Sequence, residues 1–260
     1  MGKISVAIIT FNEEANIAAC IDSVKEIADE ILVVDSFSTD QTVAIANEKG
    51  TRTIQNKFEG HIQQKNFALK NCTHEVVLSI DADERLDKTA IKEIKFQKEK
   101  NFPYVGYVFK RLTFIGETPI KHGSWYPDKK LRLVKKDQAG WTGINPHDIL
   151  KVKSTNIFTL QGNILHYSYK TTDELFEKTK RYSEISAKHL HSLHRKNTFS
   201  PLLKGVFRFI KHYFLKMGFL SGSIGLQIGK QQYYEALWKY ETLRVLNQEA
   251  KGKGQKAKKK

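Results

Sequence analysis

Two aspartates one residue apart, Asp81 and Asp83, close an apolar run in the stretch VVLSIDADERL. In an extended chain, residues i and i+2 point the same way, so both carboxylates converge on one point. Like charges that close are costly unless a cation neutralises them. Oxygen donors of this kind suit Mg²⁺ or Mn²⁺, with substrate phosphates completing the shell. The competing reading is a solvated turn before a helix, and Glu84 and Asp87 look like first-turn acids favoured by a helix dipole.

Two further stretches end apolar runs in polar groups. IITFNEEANI has no glycine, so the dinucleotide fingerprint GxGxxG is missing there, and GxxxxGK[ST] occurs nowhere in the chain. Thr10, Asn12 and Glu13 instead offer polar groups that could read a base or ribose, or could cap a helix. In ILVVDSFSTDQT, Asp35 could accept hydrogen bonds from a nucleobase or ribose, or start a turn, whereas Asp40 reads as a helix cap. Together the three runs line one crevice with acids and amides.

The elements that must hold these groups alternate. Residues 3–9, EILVVDS, RTIQ and EVVLSI read as strands. Helices are expected from about Glu13 to Val24, over TDQTVAIANEKG closing on Gly50, and from Gly60 to Asn71. Near-continuous apolar strands between helices predict a mostly parallel sheet covered on both faces, and such sheets gather ligands at the carboxyl ends of their strands. A helix follows Asp87 to about Lys100. Strands near VGYVFKRLTFIG, KLRLVKK and NILHYS then lie in an irregular region holding all but one of the five prolines. From Thr171 the pattern is helical.

These residues carry a resemblance. TFNEE, VVDSFSTDQT, QQKNFAL and LSIDADE, in this order across residues 3–90, resemble the nucleotide-sugar-binding half of glycosyltransferase family 2. GSWYPDKKLRLVKK, HDIL and LHYSY are similar to its bacterial branch of lipopolysaccharide-core β-1,4-glucosyltransferases, with a looser match in the acceptor half. The resemblance implies an α/β fold of GT-A type over residues 1–170, with a nucleotide-sugar half (1–90) and an acceptor half (91–170). A helical, membrane-associated extension (171–250) and a disordered basic tail (251–260) would follow.

It also implies roles. Thr10, Phe11, Asn12 and Glu13 would line a uridine pocket, with Asp35 on the base or ribose and Gln64 and Lys65 beside the nucleotide. Asp81 would help hold ribose and metal, Asp83 would bind the Mg²⁺ or Mn²⁺ bridging the diphosphate, and His166 would be a further metal ligand. Asp148 in NPHDIL matches the catalytic base, although this branch usually has Glu after His. Asp128 in WYPD is the rival, and could equally be a turn residue. His166 could equally be a strand histidine with its partners inside the protein. The implied reaction is an inverting transfer of a hexose, glucose from UDP-glucose favoured, to a cell-envelope glycolipid or oligosaccharide. Two other readings use the same residues: a nucleotidyltransferase, which would lack its glycine-rich triphosphate loop, and a non-catalytic basic module.

Composition fits this frame. The chain has 260 residues, 40% hydrophobic and 11% aromatic, enough for a substantial core. Its net charge is +15, and the tail KGKGQKAKKK holds six lysines and no acid, which reads as a solvated tail or as one attracted to anionic lipid or nucleic acid. SPLLKGVFRFIKHYFLKMGFLSG interleaves aromatics with Lys204, Arg208, Lys211 and Lys216. It reads either as an interfacial membrane helix or as a helix packed on the core with a solvated basic face. A lipid-linked acceptor favours the anionic membrane surface as partner over nucleic acid. Two cysteines without CxxC spacing suit a reducing compartment. The start reads as a strand rather than a leader, and the expected location is cytoplasmic, peripheral on the cytosolic face of the inner membrane.

Overall fold

The computed structural model describes the backbone of residues 1–145, 147–195 and 200–257, with side chains except at 147 and 251–257. The first half alternates as expected: β1 (Ile4–Thr10), α1 (Ile17–Val24), β2 (Glu30–Asp35), α2 (Thr42–Glu48), β3 (Arg52–Gln55), α3 (His61–Asn71) and β4 (Val76–Asp81). A short β5 (Glu84–Leu86) and α4 (Lys88–Glu99) follow. Next come β6 (Gly106–Ile115), β7 (Thr118–Pro119), β8 (Asp128–Lys135), β9 (Ala139–Ile144), β10 (His147–Val152) and β11 (Ile157–Tyr169). Three helices end the chain: α5 (Thr172–Ser192), α6 (Pro201–Ile210) and α7 (Gly222–Ala257).

Two compact units form, one of residues 1–113 and 127–167, the other of 114–126 and 168–260. The second therefore includes Phe114–Tyr126 as well as the helices after residue 170. α7 continues to Ala257, so it enters the segment expected as a disordered tail, and residues 258–260 lie outside the described residues.

In the first unit the main sheet runs β3–β2–β1–β4–β8–β6–β11–β5. It is mixed rather than mostly parallel. β3, β2, β1 and β4 pair in parallel, while β4–β8, β8–β6 and β11–β5 are antiparallel. Parallel pairing needs a crossover, usually an α-helix, and among the described residues no α-helix lies between β6 and β8. β1 is buried on both faces. Val6 and Ile8 pack with Ile17, Ile21 and Val24 of α1, and Ala7 turns to the opposite core with Ala68 and Leu69 of α3. That double burial is why these strands read as unbroken apolar runs.

Local signals decide the helix ends. Asp87 caps α4 by accepting from Ala90 N (2.7 Å), and its other oxygen accepts from Asn163 N at 3.0 Å. Gly162 is required there, because a Cβ would run into the Ala90 backbone. Asp40 accepts from Thr42 N (3.0 Å) at the start of α2, and Gly50 follows that helix at φ +77. α1 begins at Ile17 rather than Glu13, after a turn in which the amides of Asn16 and Ile17 both donate to the Glu13 carbonyl at 2.9 Å.

Glu30 ties the amino-terminal edge of the sheet together. Its carboxylate accepts from Ser5 Oγ, Arg52, the Thr73 amide and the Thr73 hydroxyl at 2.5–3.0 Å. Burial alone would raise its pKa, but these hydrogen bonds outweigh it and pull the group from 4.5 down to about 2. A carboxyl depressed in the folded state stabilises above its unfolded pKa, and that contribution fades as pH falls through the folded value. Glu30→Gln should therefore cost stability at pH 7, and the gap from wild type should close between pH 4.5 and about 2. At ~1.4 kcal/mol per pKa unit, discounted for solvent screening, the expected loss at neutral pH is about 1–2 kcal/mol. Urea melts at several pH values measure it, and a gap independent of pH would refute it.

In the second unit, Ile115 and Ile120 pack with Leu175 of α5 and Ile228 of α7. Thr171 caps α5 by accepting from Glu174 N at 3.2 Å. Among the described residues, no helix is long and apolar enough to cross a membrane.

Candidate active site

Parallel register sets the crevice. Thr10 is level with Asp35 on one side and Ile9 with Asp81 on the other, so the carboxyl ends of β2, β1 and β4 lie side by side. Most polar groups there are engaged in building the rim. Asn12, at φ 53, donates its amide to Ser38 Oγ (2.8 Å), and its side-chain oxygen accepts from Thr39 N (2.9 Å). Glu13 donates its amide to Thr42 Oγ1 (2.8 Å) and accepts from Asn16 Nδ2 (2.7 Å).

Asp35 is fully buried, accepting from the Ser38 amide and hydroxyl at 2.9 and 2.5 Å. Gln64 is equally buried, donating to Ser36 Oγ and accepting from Asn56 Nδ2. As folded, Asp35 and Gln64 fix loops. Two features take no part in that rim: the Thr10 hydroxyl, buried without a hydrogen-bond partner, and the exposed Phe11 ring. Phe37, at φ 63, adds a second exposed aromatic. Its signal in the sequence is a large apolar residue inside the polar run SFSTD.

Lys65 joins the strand end to a distant acid. It is buried on α3, 3.0 Å from Asp81 Oδ1 and 2.8 Å from Asp148 Oδ2, with its ammonium 4.4 Å from the centre of the Trp141 ring. Asp148 sits on β10, which among the described residues pairs with β9 in a two-stranded sheet. Paired hydrogen bonds between Asn66 and the Trp141 backbone, both 2.9 Å, stitch that hairpin to α3, as does Ile62 N to Asn145 Oδ1 at 3.0 Å. Asp148 thus joins Asp81 through a helix–hairpin clamp.

Beneath Asp81 lies a buried ion pair. Glu84 is fully buried, accepting from Arg132 Nη2 (2.8 Å) and from the Asp81 amide (3.0 Å). It belongs to β5, so its expected place in the first turn of a helix is corrected; only Asp87 serves as a helix-start acid. Arg132 also comes within 3.6 Å of Asp81 Oδ2. Burial would raise the Asp81 carboxyl, but Lys65 and Arg132 outweigh it and hold the group well below the usual carboxylate range.

Asp83 faces His166 of β11, with Oδ2 and Nε2 3.3 Å apart, and Tyr167 N donates to the Asp83 carbonyl at 2.9 Å. A carboxylate beside an imidazole is a donor set that Mn²⁺ accepts readily and Mg²⁺ less so. Asp81 Oδ1 is buried 3.0 Å from the Lys65 ammonium, outside hydrogen-bond geometry. Among the described residues no three His, Cys, Asp or Glu side chains gather around one point. These residues fit a metal that draws its remaining ligands from substrate phosphates.

Asp128 does not share Lys65; its carboxylate accepts from Arg111 at 2.7 and 3.0 Å with Lys130 at 3.2 Å, and Arg111 in turn lies 3.8 Å from Glu84. Arg111, Arg132 and Trp141 were not legible as site neighbours, since cations and a tryptophan in strands carry no spacing signal.

The parallel half-sheet thus carries an Asp-x-Asp pair at its carboxyl edge, with a further acid brought in by a hairpin. Residues 5–158 match the profile of "Glycosyl transferase family 2". An uncharacterized glycosyltransferase of Rickettsia typhi is 36% identical over 237 residues, covering 86% of this chain and 81% of its own. The lipopolysaccharide core biosynthesis glycosyltransferase LpsC of Rhizobium meliloti is 30% identical over 193 residues, covering 71% of this chain and 70% of its own. A solved structure of glucosyl-3-phosphoglycerate synthase from Mycobacterium tuberculosis, with phosphoglyceric acid, superposes at a TM-score of 0.49 and 16% identity over 76% of this chain and 82% of that one. The chain belongs to glycosyl transferase family 2 and is an enzyme of that family.

Proposed function

We propose that this enzyme transfers a hexose, glucose from UDP-glucose favoured, from a nucleoside diphosphate to a lipopolysaccharide-core glycolipid, with inversion at the anomeric carbon. The observation that carries this reading is Lys65 bridging Asp81 and Asp148. It couples the strand end facing the donor to an acid that could serve the acceptor. The likeness to a relative named for lipopolysaccharide core biosynthesis supports the acceptor class. The nucleotidyltransferase and non-catalytic alternatives give way to family membership.

In this reading Phe11 stacks on the base, Thr10 donates to or accepts from the nucleoside, and Asn12, Glu13, Asp35 and Gln64 hold the walls that orient it. Asp83 and His166, with Asp81, would hold a divalent cation, which would supply charge neutralisation for the departing diphosphate. Asp148 takes the proton from the acceptor hydroxyl as that oxygen attacks from the face opposite the leaving group. Trp141 and the buried Lys65–Arg132 layer keep water away from beneath the acids. A lipid-borne acceptor implies work at the cytosolic face of the inner membrane.

Thermal shift tests the donor half. With Mn²⁺ present, UDP-glucose at a hundredfold over its Kd should stabilise the protein by about 2.7 kcal/mol, with smaller shifts for GDP- and ADP-sugars. EDTA, or Asp83→Asn, should remove most of that gain. A metal-independent shift of the same size would refute the assigned metal site.

A further inference from the structure

The second unit presents the apolar side of α6 outward. On one side of the helix, Arg208 donates to Glu235 at 2.8 and 2.9 Å and to Gln232 at 2.8 Å, and Lys204 Nζ lies 3.6 Å from the centre of the Tyr240 ring. Gly205, between them, approaches α7 so closely that a Cβ would meet Tyr233. Two of the four cations that the sequence offers to a surface, Lys204 and Arg208, are thus turned onto α7. Leu203, Phe207, Ile210 and Phe214, one helical stripe apart at i, i+4, i+7 and i+11, face outward instead. Leu203 is 64% exposed, Phe207 62% and the adjacent Leu215 69%. The chain continues through a π turn (Lys211–Leu215) and a 3₁₀ turn (Gly218–Ser221), where Phe219 and Leu220 are also exposed. A contiguous apolar face of this kind marks an interaction site.

Charge selects the partner. From Ile185 through Tyr234, fifty residues, the sequence contains no Asp or Glu and eight Lys or Arg. Exposed Lys211 and Lys216 interleave with the apolar stripe. Protein–protein interfaces are depleted in lysine, whereas aromatics beside lysines are the composition of a segment lying in the interface of an anionic bilayer.

We propose that α6 and the two turns after it lie in the headgroup–acyl boundary of an anionic bilayer with the Leu203–Phe207–Ile210–Phe214 stripe inserted. Binding is carried by those side chains, with Lys211 and Lys216 on the headgroups, and not by Lys204 and Arg208. The biological purpose rests on the lipid-borne acceptor reading; the binding itself does not.

Flotation of the full-length protein with vesicles of phosphatidylethanolamine and phosphatidylglycerol tests this directly. The triple variant Leu203→Ser, Phe207→Ser, Phe214→Ser should lower partitioning by at least about tenfold, with its circular dichroism spectrum and melting midpoint kept. Because apolar insertion is not screened, salt should weaken wild-type binding only in part. Wild-type protein that stays unbound, or a serine variant that floats like wild type, overturns the proposal. So does a wild-type dimer without lipid that the serine variant converts to monomer, since the face would then belong to a second copy. Flotation that depends on Phe207 without any sugar transfer would sink the acceptor reading alone. Transfer to a detergent-dispersed acceptor without vesicle binding would sink only the surface.

Discussion

Asp148→Asn is expected to lower sugar transfer by about 10²–10⁴-fold, the usual contribution of a positioned general base. The side chain keeps its shape, and the amide oxygen can still accept from Lys65, which holds Asp148 at 2.8 Å. Donor binding should therefore survive, and the Mn²⁺-dependent thermal shift with UDP-glucose should stay near wild type. That split separates the base from Asp83, whose loss removes the shift as well. Asp128→Asn should keep transfer within about tenfold, because its carboxylate is engaged by Arg111 and Lys130 and does not share Lys65. Equal losses for the two variants, or full activity in Asp148→Asn, would return the assignment to Asp128 or to neither.

The second large effect concerns stability. Arg132→Met strands the Glu84 carboxylate, which is fully buried, with Arg111 Nη1 3.8 Å away as its nearest remaining cation. Removing one partner of a buried ion pair typically costs about 3–5 kcal/mol, and that is the expected drop in urea denaturation. Adding Glu84→Gln to Arg132→Met removes the stranded charge and should recover more than half of the loss. A double variant as unstable as the sum of the two singles would mean the pair contributes packing rather than charge compensation.

The amino-terminal half was legible because β1, β2 and β4 are buried apolar strands and its helix-start signals are local. β1, β2 and β4 announce themselves as apolar runs, Asp40 accepts from Thr42 at the start of α2, and Asp87 caps α4. Glu84 was misread for a physical reason. An acid between a strand and a helix looks like a first-turn acid, and only the long-range pairing of β5 with β11 and of Glu84 with Arg132 says otherwise. The hairpin 139–152 was missed because AGWTGI alternates poorly and pairs only with its own other arm. Asp35 and Gln64 show that residue type at a strand end does not reveal whether the group faces a ligand or braces a loop. In α6 the amphipathic pattern was visible, but the side that packs was the opposite of the usual one.

The hairpin that carries Asp148 has a consequence for how this enzyme can diverge. β9 and β10 hydrogen-bond as a separate two-stranded sheet, so lengthening or recasting their turn shifts no register in the main sheet. Its position depends on the Asn66 and Asn145 side chains and on Trp141 and Leu150 buried in the core beside α3, rather than on pairing with the main sheet. The acid can therefore be re-aimed by drift in one short excursion while β1, β2 and β4 stay fixed. Under the proposed assignment of Asp148 as the base, descendants of this chain would change the hydroxyl they serve without rebuilding β1, β2 and β4.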